Sequence, residues 1–359
     1  MLAPGASYEA PGANSYFPMH QAATASRPIQ LAIVLIVIIL LLFLLWLVDW
    51  DTLLFLVRQS NWHQIALATP FLLLSFLLLL FGWRQLLPGK PGWDETFNAT
   101  AISFALSIVT PVPDSLLRIV TTEQVTGTSL TQATASLVVE RFLAAVVRLL
   151  AFIAFVAIWT WERSDSSGTR VAGLGLIIAA LAALVWILRH PQRATIIVAR
   201  LRSISYPGSA RVEAAATEFG RSLAQILTVR RFLALFALFL LIWLSAGIYH
   251  FIVLNAIPLT LAPGTMVAIS LALLVVLPPT SPTIVGVYQT VAVGVLVTLG
   301  LLDGGTATGY ALLVQLPQVI LWLLLGAWGY RRSQLSLSRL AEEIRSAAKS
   351  RGSSQATAT

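Results

Sequence analysis

Residues 31 to 48 read LAIVLIVIILLLFLLWLV, eighteen positions without a polar side chain. A run of about that length matches the hydrocarbon thickness of a bilayer and predicts a spanning helix. With its flanks it covers about 29–49, and similar stretches predict spans at 64–82, 136–160, 170–188, 232–256 and 308–330. Two further apolar stretches, 97–135 and 265–303, are interrupted by proline. The first holds Thr110-Pro-Val-Pro113 and the second holds Pro278-Pro-Thr-Ser-Pro282. Proline removes a helix hydrogen bond and clashes with the preceding turn. Broken backbone at membrane depth is tolerated only where protein or a water-filled cavity covers it. The pattern predicts an all-α polytopic membrane protein with about six full transmembrane helices and two proline-broken re-entrant hairpins.

Composition agrees with this pattern. The chain of 359 residues is 57% hydrophobic and 11% charged, where a soluble domain carries about 25% charged residues. Residues 1–27 are rich in Ala, Pro, Gly and Ser and predict a disordered tail. The apolar run that follows is too long for a cleavable signal peptide, and no small-x-small cleavage site follows it. A membrane domain is expected over 28–332 and a cytoplasmic tail over 333–359.

Net charge is +8 and cysteine is absent, which removes disulfides, thiol catalysis and thiolate metal sites. The basic residues sit beside the spans, so they predict membrane orientation and anionic headgroup contacts, with no nucleic acid partner. Arg189, Arg193, Arg200, Arg202, Arg211, Arg221, Arg230 and Arg231 lie in the 189–231 loop, and six more Lys or Arg follow residue 330. Both segments are expected in the cytoplasm of a cell whose inner or plasma membrane holds the protein. From these fixed points, 97–135 starts and ends inside while 265–303 starts and ends outside. The two hairpins then have opposite orientation, the mark of an inverted repeat with a binding site between broken helices; a pair of full spans over 265–303 would give the same topology. Apolar positions at helical spacing in 189–231 (Val212, Ala216, Phe219, Leu223, Ile226) and in the C-terminal tail (Leu337, Leu340, Ala341, Ile344) predict amphipathic surface helices.

The sequence carries no catalytic device. His20, His63, His190 and His250 lack metal-ligand spacing, and no phosphate-cradling glycine loop or nucleophile elbow is present. No cofactor is expected, and the chain is not expected to be an enzyme. The informative residues are ionisable groups at membrane depth, which are costly and mark substrate paths by default. Asp114, Arg118 and Glu123 follow the first proline break, and Glu140, Arg141 and Arg148 lie in the span at 136–160. Arg141 and Arg148 are seven apart and share a helix face, with small Ala144 between them. Paired guanidinium groups suit a lipid phosphate. Equally, Glu140 and Asp114 can neutralise Arg141 and Arg118 as structural pairs. Ser129-Leu-Thr-Gln132 reads as a capping box that starts this helix near 130. In the second half the polar groups are neutral: Thr283, Tyr288, Gln289, Gln315 and Gln318 either line a cavity or bond between helices.

Asn98, Thr110-Pro-Val-Pro-Asp-Ser-Leu-Leu-Arg118, Gly127-Thr-Ser129, Ala133 and Glu140-Arg141 resemble the first signature of the lysylphosphatidylglycerol synthase transmembrane-region family. Pro282-Thr-Ile-Val-Gly286-Val-Tyr-Gln289, then Gly300 and Ala311, resemble its second. The resemblance covers roughly 28 to 332 and implies two re-entrant hairpins and a flippase-like role. No aminoacyltransferase domain is expected, since 27 residues follow the last span, so the resemblance is to stand-alone members. Asp114-Ser115 stands where the family has Gly-Glu, Gln289 where it has Glu, and Gln315 where it has Arg. Loss of one acid and one base together predicts a salt bridge neutralised as a unit.

The expected function is movement of an anionic phospholipid or polyprenyl-phosphate-linked lipid across the bilayer. Arg118, Arg141 and Arg148 would hold the phosphate, Asp114 and Glu140 would tune or release that grip, and Gln289 would line the opposite wall. The alternative is a non-transporting scaffold for a cell-envelope glycosyltransferase, docked through the 189–231 loop and the tail.

Overall fold

In a computed structural model the described residues are 50–163 except Pro111, isolated helical positions between 171 and 182, and 229–333 except Pro278 and 280–285. They are helical, and no strand occurs among them. In chain order the helices are α1 (Trp50–Gln59), α2 (Trp62–Leu86), α3 (Trp93–Val109), α4 (Asp114–Thr126), α5 (Leu130–Arg163), α6 (Val229–Ala256), α7 (Pro263–Val276), α8 (Val287–Thr298) and α9 (Gly304–Arg332). Four of them, α2, α5, α6 and α9, are long and apolar enough to cross a membrane. They coincide with four of the predicted spans. The predicted spans at 29–49 and 170–188, both tails and the amphipathic part of the 189–231 loop lie outside the described residues, apart from the isolated positions.

The helix ends follow from local chemistry. At α2, Asn61 accepts from the backbone N–H of Gln64 at 3.2 Å, the usual work of a capping side chain. Glu95 reaches back to the N–H of Gly92 at 3.0 Å and starts α3. Thr110 turns extended (φ −125°, ψ 146°), as a residue before proline must, and α3 stops there. Past Pro113 the chain re-enters a helix, α4, which runs only to Gly127 at φ 68°. That left-handed conformation suits glycine because it lacks Cβ. Ser129 Oγ then accepts from the N–H of Gln132 at 3.4 Å, and α5 begins where the sequence predicted.

The same order recurs. A long helix, a shorter apolar helix, a proline break, a short helix, a left-handed glycine, a cap and a second long helix describe α2–α5. They also describe α6–α9, with the second break between Val276 and Val287, Gly300 at φ 61°, and Asp303 as the cap of α9. The paired lengths are 25 and 28, 17 and 14, 13 and 12, and 34 and 29 residues.

Packing repeats as well. The first helices of the two halves, α2 and α6, lie against each other, while the second helix of each half packs on the last helix of the other: α3 on α9, α7 on α5. Within each half the short helix rests on its own last helix, α4 on α5 and α8 on α9.

Aromatic contacts fix the α2–α3–α9 junction. Phe76, Phe104 and Trp322 meet at centroid distances of 5.0 to 5.6 Å, a spacing that favours tilted and edge-on rings. Small residues bring α3 and α9 close: a Cβ built on Gly326 would meet Cβ of Ala105 at 2.2 Å. Outward positions of α5 such as Val138, Phe142, Leu149 and Phe152 are exposed and apolar, which suits a lipid-facing side.

Candidate functional site

The ionisable residues predicted from sequence converge where α4 meets α5, but they choose partners across the helices. Arg118 pairs with Glu140, and Arg141 pairs with Asp114. Glu140 and Arg141 are consecutive on one helix and therefore face apart by about 100°. Packing of α4 on α5 supplies each with a partner from the other element.

Arg118 and Glu140 are both fully buried. One nitrogen, Nη1, donates to both carboxylate oxygens, at 2.6 Å to Oε1 and 2.7 Å to Oε2. This leaves Nε and Nη2 of Arg118 buried with no hydrogen-bond partner. The guanidinium lies between two rings, with its carbon 4.8 Å from the Trp83 centroid and 5.5 Å from that of Phe104. Aromatic faces are electron-rich and attract a desolvated cation. Burial of each ion costs several kcal/mol, and the mutual attraction repays it only when geometry is good and the remaining donors are satisfied. The pair therefore holds α4 to α5 but has spare donor capacity.

The second pair is more open. Arg141 Nη2 donates to Asp114 Oδ2 at 2.7 Å, with side chains 32% and 12% exposed. Arg148, two turns further along α5, is half-buried and its Nε has no partner. Around Arg118, Thr121 Oγ1 donates to the Ala99 carbonyl at 3.0 Å and ties α4 to α3. Asn98 Oδ1, Thr100 Oγ1 and Thr122 Oγ1 are buried without partners. Polar atoms of this kind are uncommon in native interiors and mark places where a ligand or water belongs.

The corresponding region of the second half holds neutral groups. Gln289 Oε1 accepts from the N–H of Gly286 at 2.6 Å, and Gln289 Nε2 donates to Gln315 Oε1. Both ends of the Gln289 amide are thus engaged, one capping α8 and one joining α8 to α9. This is the pair that the sequence departures predicted. Nearby, His250 Nδ1 lies 3.0 Å from the Tyr310 hydroxyl, and the Tyr249 hydroxyl donates to the Val314 carbonyl. Pro317 lacks the N–H that would bond the Leu313 carbonyl, one residue before Val314. Tyr288 is buried with its hydroxyl unpartnered. Gln318 is half-buried, and Thr283 lies outside the described residues.

Sequence reasoning missed the aromatic walls. Trp83 and Phe104 sit in apolar runs with nothing to separate them from ordinary core residues. Tyr249, His250 and Tyr310 were equally silent, because their meeting depends on α6 packing against α9. Among the described residues no group of three His, Asp or Glu is placed to hold a metal.

No curated protein and no solved structure matches the chain. The model of one family, the lysylphosphatidylglycerol synthase TM region, matches residues 29–326. That span takes in both proline breaks, the three polar pairs and the four long helices up to residue 326 of α9, and the chain is a membrane protein belonging to the lysylphosphatidylglycerol synthase TM-region family.

Proposed function

We propose that this protein moves an anionic lipid, a phospholipid or a polyprenyl-phosphate-linked lipid, between the leaflets of a cell membrane without chemistry on the lipid. One observation carries the reading: the fully buried Arg118 keeps two nitrogens unpartnered beside the half-open Arg141–Asp114 pair. A phosphate oxygen arriving at this junction would complete the donor set of Arg118 and compete with Asp114 for Arg141. Intramembrane charges that stay partly unsatisfied are the usual sign of a substrate path.

The architecture supports the same reading. At 1.5 Å per residue, α3 and α4 are about 25 and 20 Å long, and α7 and α8 are shorter or similar, against a hydrocarbon core of about 30 Å. Two re-entrant hairpins of opposite orientation, with the 189–231 loop and the C-terminus cytoplasmic, fit these lengths. They would place the two breaks, and the polar pairs beside them, near the bilayer centre.

The test is transbilayer movement in liposomes. Purified protein should speed the appearance of fluorescent phosphatidylglycerol in the opposite leaflet more than that of phosphatidylcholine. Arg141→Gln, in the more open of the two ion pairs, should remove the difference. No movement above protein-free liposomes for any headgroup, with an ion gradient imposed, would overturn the proposal.

A further inference from the structure

Arg148, Phe152 and Phe155 follow one another on α5 at spacings of 4 and 3, so they share one helix face. Phe152 and Phe155 form one wall of an open groove of ≈ 460 Å³. Val275 and Val276 of α7 and Gly294, Val295 and Thr298 of α8 are among its other walls. The lining is almost wholly apolar. Phe152 and Val276 are exposed, so the groove opens toward the side of the protein that hydrocarbon covers. Arg148 stands just before it on α5. Its Nε is buried without a partner, and no carboxylate pairs with it among the described residues. The site is separate from the Arg118–Glu140 and Asp114–Arg141 pairs, which lie nearer the start of α5.

We infer that this face is a binding site for one phospholipid of net negative charge, with the Arg148 guanidinium on the phosphate and an acyl chain in the groove between α5, α7 and α8. The inference rests on the lipid-carrier reading given above and adds a second station for such a lipid, apart from the Arg118–Arg141 junction. Two observations select the occupant. A lone cation near the middle of a spanning helix is costly and calls for an anion, while a bare hydrocarbon would bring none. A soluble anion would gain little from the groove, whose lining is apolar apart from Thr298. A lipid supplies both parts at the right separation. Phe152 and Phe155 follow Arg148 by roughly 6 and 10 Å along the helix axis, a stretch that a glycerol unit and the first carbons of a chain can cover. The Arg side chain leans toward the helix N-terminus, which keeps the guanidinium clear of the groove mouth.

The experiment is photolabelling of the full-length protein in nanodiscs by phosphatidylglycerol or phosphatidylcholine carrying a mid-chain diazirine, read by peptide mass spectrometry. Phosphatidylglycerol should label the α5, α7 and α8 peptides that line the groove more than phosphatidylcholine does. The excess should be about tenfold, because the choline ammonium offsets the phosphate charge of phosphatidylcholine, whereas phosphatidylglycerol keeps a net negative charge for Arg148. Arg148→Gln should bring phosphatidylglycerol down to the phosphatidylcholine level, and Arg148→Lys should keep most of the preference. Gly294→Phe should reduce labelling by both lipids, because a Cβ at Gly294 meets nothing within 4 Å and the ring can fill the groove. Equal labelling by the two headgroups in the wild type, or a preference that survives Arg148→Gln, would overturn the site. Labelling needs binding and no movement. Labelling without transbilayer movement therefore sinks the carrier reading alone, and movement without groove labelling sinks this site alone.

Discussion

Gln289 of α8 donates through its amide nitrogen to the amide oxygen of Gln315 on α9, while its own oxygen accepts from Gly286 at 2.6 Å. Two neutral amides thus do for the second half what Arg118 and Glu140 do for the first. A charge placed on one amide alone would be buried without a counter-ion, whereas opposite charges on both would neutralise each other. Gln289→Glu and Gln315→Arg should each lower the melting temperature, at a cost of about 3–5 kcal/mol. The double variant should recover most of the loss. Thermal unfolding of the four proteins in nanodiscs gives the coupling directly; additive losses would mean that the two side chains do not form a unit.

The Arg118–Glu140 pair makes a parallel prediction. Glu140→Gln leaves the Arg118 cation buried between Trp83 and Phe104 with no anion. The loss should again be about 3–5 kcal/mol. Arg118→Met with Glu140→Leu should be far less harmful than either single change, since hydrophobic replacement of a buried pair is often neutral or better. The measurement is denaturation in detergent, and a double variant as unstable as the worse single one would contradict it.

Much of this was readable in the sequence, for physical reasons. A spanning helix needs about twenty apolar residues whatever its neighbours are, so α2, α5, α6 and α9 announce themselves. Proline and glycine act locally, so both breaks and the Ser129 start of α5 were visible as well. The ionic partners were not. Sequence proximity suggests Glu140 with Arg141 and Asp114 with Arg118, but pairing is decided by how α4 docks on α5, and the pairs exchange. The Gln289–Gln315 bond was foreseen only because both residues depart from the family pattern together. The walls around Arg118 and the Tyr–His cluster were silent, since packing between distant segments creates them.

Close approach of α3 and α9 should be sensitive to one methyl group. A Cβ at Gly326 would meet Ala105 Cβ at 2.2 Å and the Ala101 carbonyl oxygen at 2.9 Å, and neither can swing aside. Gly326→Ala should therefore cost about 1–3 kcal/mol as an overpacked contact. Gly294→Ala, with open space at its Cβ, should instead stabilise α8 by up to about 1 kcal/mol. Opposite shifts in melting temperature would support the contrast, and equal shifts would refute it.

Asp303 offers a pH test outside the spanning segments. Its Oδ1 accepts from the N–H of Thr306 at 2.9 Å, and hydrogen bonds to Thr306 hold its carboxyl below the ordinary value. A depressed folded-state pKa contributes stability above the ordinary aspartate value, and that contribution disappears as pH falls through the lower folded value. Asp303→Ala should cost about 1 kcal/mol at neutral pH. Asp303→Asn should match the wild type there and lose less stability than it on acidification below about pH 4. Identical acid limbs for the two proteins would count against this.

The exchange of helices between the halves, α3 onto α9 and α7 onto α5, constrains how the molecule can move. Rocking one half against the other would open both of these contacts and the α2–α6 contact in a single stroke, stripping the Phe97–Trp328 and Phe104–Trp322 ring pairs along with them. Bending at the residues around Thr110 and Leu277, where the backbone has already left the helix, disturbs far less. The halves behave as clasped hands: the grip stays closed, and only the fingertips are free to turn.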